Sequence, residues 1–281
     1  MTDDLLSQWG RWQRAQGHSE NTINARTARV RSIAETSNVA PEDMTQDHVV
    51  NYLAALKTRS TKATYYSHLR AWFRWLIVID YRDDDPTLKV PAPKAPRRSP
   101  RPITDKEMVL LIASRMHART RMMILLASLQ GLRVHEIAKF RGEDIDWTSK
   151  RLRVLGKGEV DATLPLSVEV ALLAASFPRR GYWFVALDTP NRKRPAEHIN
   201  SRSVSDVVGD AMKRQGITGG PHRLRHWYGT RLVKAGSNLR VVQEMLRHAS
   251  LQTTQIYTKV DEDQMRAAMD GLSLPSATDA A

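Results

Sequence analysis

Apolar residues recur through the first third of the chain at the three- and four-residue spacing of amphipathic helices. Leu5, Leu6, Trp9 and Trp12 fall on one stripe, which Gly17 ends. Ser19 is placed to cap a second helix carrying Ile23, Val30 and Ile33, and Thr45 a third with Val49, Leu53 and Leu56. Ser60 opens a fourth, with Tyr65, Leu69, Trp72, Phe73, Leu76 and Ile79. Four helices of this length predict a small all-α bundle, a first domain at residues 1–88. From residue 103 the pattern changes. Thr104 caps another helix, and residues 122–129, apolar almost all round, predict a central one that breaks at Gly131 before a new helix starts around Arg133. Residues 151–155 and 161–166 alternate as two short strands around Gly-Lys-Gly-Glu, a hairpin with Lys157 at its tip. Helices are expected at 200–214, 221–234, 238–246 and 250–259, punctuated by Gly219-Gly220-Pro221 and Gly236-Ser237. Residues 261–272 can form a short amphipathic helix, and the small, polar 273–281 suit a disordered tail. The expected fold is mainly α: a four-helix domain, then a mostly helical domain at 103–272 with one small sheet.

Between the two lies KVPAPKAPRRSPRP, residues 89–102, with five prolines and five basic residues (Lys89, Lys94, Arg97, Arg98, Arg101) and no acid. Prolines keep such a segment extended, and its charge would let it follow a nucleic-acid backbone.

Charge sharpens this picture. Lys plus Arg number 43 against 30 for Asp plus Glu, a formal net charge of +13. A surplus of this size points to a polyanionic partner, and Trp, Tyr and His interleaved with Arg and Lys favour nucleic acid. Arg59, Lys62, Arg70 and Arg74 fall mostly off the apolar stripe of the fourth helix and are candidate phosphate contacts, as are Arg97, Arg98 and Arg101 of the linker. The absence of cysteine excludes disulfides, thiolate zinc sites and cysteine nucleophiles. The start MTDDLLSQWG is acidic and lacks an apolar signal core, and the longest apolar runs are too short to span a bilayer, so a cytoplasmic protein is expected, with no membrane partner.

The candidate chemistry sits in the second domain. In GLRVHEI, Arg133 and Glu136 are three apart, so on a helix the carboxylate would fix the guanidinium. The planar fork of arginine suits two phosphate oxygens at once. In HRLR, His222 and Arg225 again share a face, just after a proline at a helix start. A second arginine aimed at the same phosphate would spread the charge of a pentacoordinate transition state, and His222 could move a proton near neutral pH. Lys157, His248 and Tyr257 are ordinary alone: a turn lysine, a helix-terminal histidine and a half-buried aromatic. Together they are not. Tyrosine, with a free pKa of ~10, is a weak nucleophile that needs cations around it, and the chain supplies them without calling for a metal or any other cofactor.

These segments resemble the tyrosine recombinase family, the phage integrases and Xer recombinases. Residues 219–260 are similar to its His-x-x-Arg box, its Leu-Gly-His box and its nucleophile helix. LQGLRVHEI resembles the first arginine box, VLGKGEVDATLPL the lysine hairpin, and QGHSENTINARTARV the start of the SAM-like core-binding domain. The resemblance implies that Arg133 and Arg225 hold the scissile phosphate, Lys157 is the general acid, His222 an acid/base, His248 a phosphate hydrogen-bond donor and Tyr257 the nucleophile, with Glu136 supporting Arg133. It implies a two-domain clamp on a double-stranded core site. Free protein would be a monomer or weak dimer; four protomers would exchange strands through a Holliday junction, with a directionality factor as a further candidate partner. The final helix around Met265–Met269 would dock on a neighbouring protomer. A minimal type is expected, since the first core-binding helix starts within a few residues of Met1 and leaves no room for an arm-binding domain.

Two departures bear on the site. Arg247 stands where the family usually has glycine and could contact DNA or tilt His248. Trp227 and Tyr228 replace a small residue and a Phe-like one, which makes Tyr228 a rival tyrosine whose place inside the His/Arg helix argues for packing. The competing functions are a catalytically inactive DNA-binding accessory protein and a type IB topoisomerase-like enzyme.

Overall fold

The structure, a computed structural model, describes residues 2–94, 101–155, 161–186 and 197–247. The chain divides into two compact units, Met1–Arg98 and Ser99–Ala281.

The first unit carries α1 (Thr2–Ala15), α2 (Glu20–Ser37), α3 (Gln46–Ala55) and α4 (Arg59–Val78). Ser19 caps α2 through its side chain, and Asn38 ends that helix in the left-handed region. The cap of α4 is Thr58, two residues before the expected Ser60: its hydroxyl accepts from the Thr61 N–H at 3.2 Å. The stripes converge as their spacing requires. Trp9, Val30, Ile33, Leu69, Trp72, Phe73 and Leu76 are fully buried, and Trp9 meets Trp72 edge-on with centroids 5.1 Å apart. Ile79 does not join this core; it caps the end of α4 and is exposed. The Trp72 indole N–H is satisfied by the Pro41 carbonyl at 3.0 Å.

In the second unit α5 (Asp105–Ala113) opens with a capping box between Thr104 and Glu107. The central α6 (Ala118–Leu129) buries Met122, Ile124, Leu126 and Ala127 completely. A short α7 (Val134–Ala138) follows. Then comes an antiparallel sheet in the order β1 (Ile145–Asp146), β2 (Arg151–Leu155), β3 (Asp161–Pro165), with Val154 opposite Ala162. The two-residue β1 and the seven-residue α8 (Val168–Ala174) are additions to the expected elements. Helices α9 (Ser201–Arg214), α10 (Pro221–Lys234) and α11 (Leu239–Leu246) complete the described chain. Helices α8, α9 and α10 all pack on α6. Among the described residues no helix is long and apolar enough to cross a membrane. The hairpin tip with Lys157, the linker residues Arg97 and Arg98, His248, the helix at 250–259 with Tyr257, and residues 261–281 lie outside the described residues.

Candidate active site

The site starts at a turn. Where α6 ends, Gly131 takes φ +59, and a β-carbon there would lie 2.5 Å from the Tyr228 ring of α10. Only glycine allows the chain to reverse against that ring. Gln130, itself buried, brackets the exit of β3: its amide donates to the Pro165 carbonyl at 2.9 Å and accepts from the Ser167 N–H at 2.7 Å. The end of α6 therefore fixes both the arginine turn and the exit of β3.

Arg133 is the N-cap of α7 rather than a residue within it. Its pairing with Glu136 comes from the cap and not from a shared helical face, a correction to the expectation from spacing. The Glu136 carboxylate reaches back to the Arg133 N–H at 2.7 Å and pairs with its guanidinium at 3.1 Å. The other end of that guanidinium donates to the Arg247 carbonyl at 3.1 Å. Arg225 is buried on α10 and donates to the Gly131 and Leu246 carbonyls. Arg247, at φ 52 just past α11, turns its side chain inward. Its guanidinium meets Glu136 at 2.7 Å and the Gly131 carbonyl at 3.1 Å.

Three guanidiniums thus converge near one carboxylate whose side chain is 1% exposed. Burial pushes the Glu136 pKa up. Arg247, the Arg133 N–H and the charges of Arg133 and Arg225 outweigh it, so the carboxyl titrates below its ordinary range. Arg247 feels the reverse balance: desolvation lowers its pKa and Glu136 partly restores it. His222 is an exposed residue overall, yet desolvation of its imidazole, then the charges of Arg225 and Arg133, hold its pKa below the usual histidine value. The His226 ring stands 6.4 Å from it and is shifted the same way, first by desolvation.

The structure therefore brings Arg133, Glu136, Arg225 and Arg247 together and leaves His222 within their field. Tyr228 packs with Val242 and Leu246, and burial raises its pKa to about 12, which makes it a poor nucleophile. Of the candidate DNA contacts, Arg59, Arg74 and Arg101 are exposed and Arg70 is half-buried. Lys62 donates to the Ala54 carbonyl at 3.4 Å. Sequence reasoning passed over Arg26 and Arg29 of α2. The Arg29 guanidinium lies 3.8 Å over the Tyr65 ring, and both arginines add to the desolvation that lowers the His68 pKa. Their interleaving with apolar positions in α2 was the available signal. Gln130 was missed as well, and a lone glutamine before a glycine gives none.

Residues 102–264 match the model of the Phage integrase family. The chain is 28% identical to a protein named tyrosine recombinase XerA of Thermococcus kodakarensis, over 97% of this chain and 96% of that one. It is 40% identical to the solved integrase of mycobacterium phage Brujita, covering 98% of this chain and 96% of that one with a TM-score of 0.51. A lambda integrase dimer bound to a COC′ core site shares the fold at 18% identity, with a TM-score of 0.74 over 92% of this chain and 96% of that one.

Proposed function

The chain belongs to the phage integrase family of tyrosine recombinases, and from that premise we propose that it cuts and rejoins double-stranded DNA at a specific core site through a covalent 3′-phosphotyrosyl intermediate. The single observation that carries the proposal is the convergence of Arg133 and Arg225, from positions far apart in sequence, on the carbonyls where the Gly131 turn meets the end of α11: Arg225 on those of Gly131 and Leu246, Arg133 on that of Arg247. Two fixed guanidiniums can bind one phosphate and spread the negative charge that builds on it during attack.

In this mechanism the Tyr257 oxygen attacks phosphorus, forming the tyrosyl ester at the 3′ end while the bond to the 5′ oxygen breaks. His222, held neutral, takes the tyrosine proton, Lys157 gives one to the leaving 5′ oxygen, and His248 donates to the phosphate. The ester keeps the energy of the broken bond, so a 5′ hydroxyl of a second duplex can attack it and release Tyr257 without ATP. The arginines supply the positive charge of the site, and the reaction calls on no metal or other cofactor. Four protomers perform this exchange in two steps through a Holliday junction, coupled by docking of the segment around Met265–Met269 on a neighbouring protomer. The chain is organised as a core-binding domain (1–88) and a catalytic domain (103–272) joined by the basic linker 89–102. Arg59, Lys62, Arg70, Arg74, Arg97, Arg98 and Arg101 contribute phosphate contacts.

Covalent trapping tests this reading. Purified protein is incubated in chelator, without ATP, with a nicked core-site substrate that loses its 5′ fragment on cleavage. A protein–DNA adduct is expected with wild type and Tyr228→Phe and none with Tyr257→Phe. Specific binding without any adduct would replace the recombinase by a DNA-binding accessory protein. An adduct lost only in Tyr228→Phe would move the nucleophile.

A further inference from the structure

Arg247 occupies a left-handed backbone position (φ 52, ψ 48), where a residue with a β-carbon is disfavoured. A surface arginine would gain nothing there. Instead its side chain is only 9% exposed and makes a set of bonds unlike those of a DNA-facing cation. It reaches Glu136 at 2.7 Å, the Gly131 carbonyl at 3.1 Å and the Met245 carbonyl at 3.3 Å. Its own carbonyl accepts from Arg133 at 3.1 Å, and Arg133 pairs with Glu136. Arg133, Glu136 and Arg247 thereby form a closed ring in which each member holds the next. The ring joins the end of α11 to the start of α7, and residue 248 follows it directly.

We propose that Arg247 is a positioning residue for DNA cleavage: it fixes the Glu136 carboxylate, and through it the Arg133 guanidinium, from inside the protein rather than by touching DNA. The inference rests on the recombinase reading, which supplies the role of Arg133. Glu136 has two guanidinium partners at bonding distance. Removing the Arg247 side chain leaves Oε2 held by the Arg133 N–H alone, and takes away the bonds that hold residue 247, whose backbone carbonyl anchors the far side of Arg133, in its left-handed position. Misplacing a group that binds the reacting phosphate by about 1 Å can cost on the order of a hundredfold in rate. A lost phosphate contact acts differently: it weakens binding and lowers the slope of log affinity against log salt by about one.

The test compares wild type with Arg247→Met, Arg247→Lys, Glu136→Gln and the Glu136→Gln/Arg247→Met double variant. Core-site affinity is measured at several salt concentrations, and single-turnover adduct formation at saturating DNA. Arg247→Met is expected to slow adduct formation roughly ten- to a hundredfold, with affinity within about threefold and an unchanged salt slope. Arg247→Lys should recover part of the rate. In the Glu136→Gln background the loss of Arg247 should add no more than about twofold, because the two act as one unit. Weakened binding with a lower salt slope and a wild-type rate would make Arg247 a DNA contact and overturn the proposal; so would equal rates, or effects that simply multiply in the double variant. If Arg247→Met fails to fold, Arg247→Lys gives the same reading, since it keeps the charge but loses the forked donor. Wild-type protein that forms no adduct would sink the recombinase reading and with it a role for Arg247 in cleavage, whereas the variant results above, obtained beside a wild-type adduct, would overturn the role of Arg247 alone.

Discussion

A carboxylate buried to 1% exposure normally favours its neutral form, and Glu136 stays ionised because the Arg133 N–H and cations from three elements meet it: Arg247 after α11, Arg133 at the start of its own helix and Arg225 on α10. A folded pKa below the unfolded one means stability that is fully present above the ordinary carboxylate value and lost as pH falls through the lower folded value. Glu136→Gln should therefore cost stability at neutral pH, on the order of 2–4 kcal/mol because buried guanidiniums lose their counter-charge. The gap in unfolding midpoint between wild type and variant should close as pH is lowered below about 4.5. A gap that stays constant across the acid range would mean that Glu136 is not ionised in the folded protein. Gly131 gives a second residue-level expectation. Gly131→Ala meets both a positive φ and the Tyr228 ring, and should destabilise by roughly 2 kcal/mol or more. Chemical denaturation measures it, and an effect under about 0.5 kcal/mol would show that the turn relaxes freely. Much of this cluster was legible in sequence: the three-residue spacing of Arg133 and Glu136 announced their pairing. Spacing could not announce the inward turn of Arg247. The direction of its side chain is set by a partner 111 residues away, and a local pattern holds no record of such a contact.

Elements were readable to the extent that each carries its own start signal and its own buried stripe. Ser19 and Thr104 cap their helices as their positions imply, with side-chain bonds to the first-turn N–H groups. Thr45 likewise stands at the N-cap of α3. At α4, Thr58 and Ser60 compete within three residues, and the earlier hydroxyl wins because it adds a bond to the Thr61 hydroxyl at 2.7 Å. The missed elements lack such signals or blur them: Ser167 caps α8 through its side chain, but no clear apolar stripe follows it. A two-residue strand has no period, and in α8 the buried Val170 and Ala174 are interleaved with Val168 and Leu172, which are apolar yet about 70% exposed, so the apolar pattern runs all round and hides the stripe. The junction of α6 with β3 is tertiary in the same sense, since Gln130 bonds to residues 35 and 37 positions away. Gln130→Ala would leave the Pro165 carbonyl and the Ser167 N–H without that partner, at a cost of about 1–3 kcal/mol for buried groups. Hydrogen exchange at Ser167 should speed up, and single-turnover cleavage should fall more than DNA affinity, because the hairpin base carries the proposed general acid. Unchanged cleavage with faster exchange would separate the hairpin's stability from its chemistry.

At the scale of the whole chain, two hydrophobic clusters without a common residue, one within each unit, account for most of the buried apolar side chains. Each has the fully buried large side chains that a separate core needs, such as Trp9, Trp72 and Phe73 in the first and Phe184, Met122 and Leu111 in the second. The functional charge is arranged differently. Arg133 and Arg225, the proposed phosphate ligands, are partly or wholly buried, whereas Arg59, Arg74 and Arg101 are exposed. Salt screens exposed charges and competes for phosphate contacts by counterion exchange, but it hardly reaches a desolvated guanidinium. With a net charge of +13, core-site affinity should fall about 10³- to 10⁵-fold between 50 and 200 mM salt if roughly six to ten phosphates are neutralised. The single-turnover rate of the saturated complex should change by less than about threefold over the same range, since the chemistry depends on the screened-off cluster. Measuring both on one substrate separates the two populations of arginine. A shallow affinity slope would assign recognition to base edges and apolar contacts instead of the backbone. A cleavage rate that fell in step with affinity would mean that the buried arginines are reached by ions, and that the turn at Gly131 opens when DNA binds.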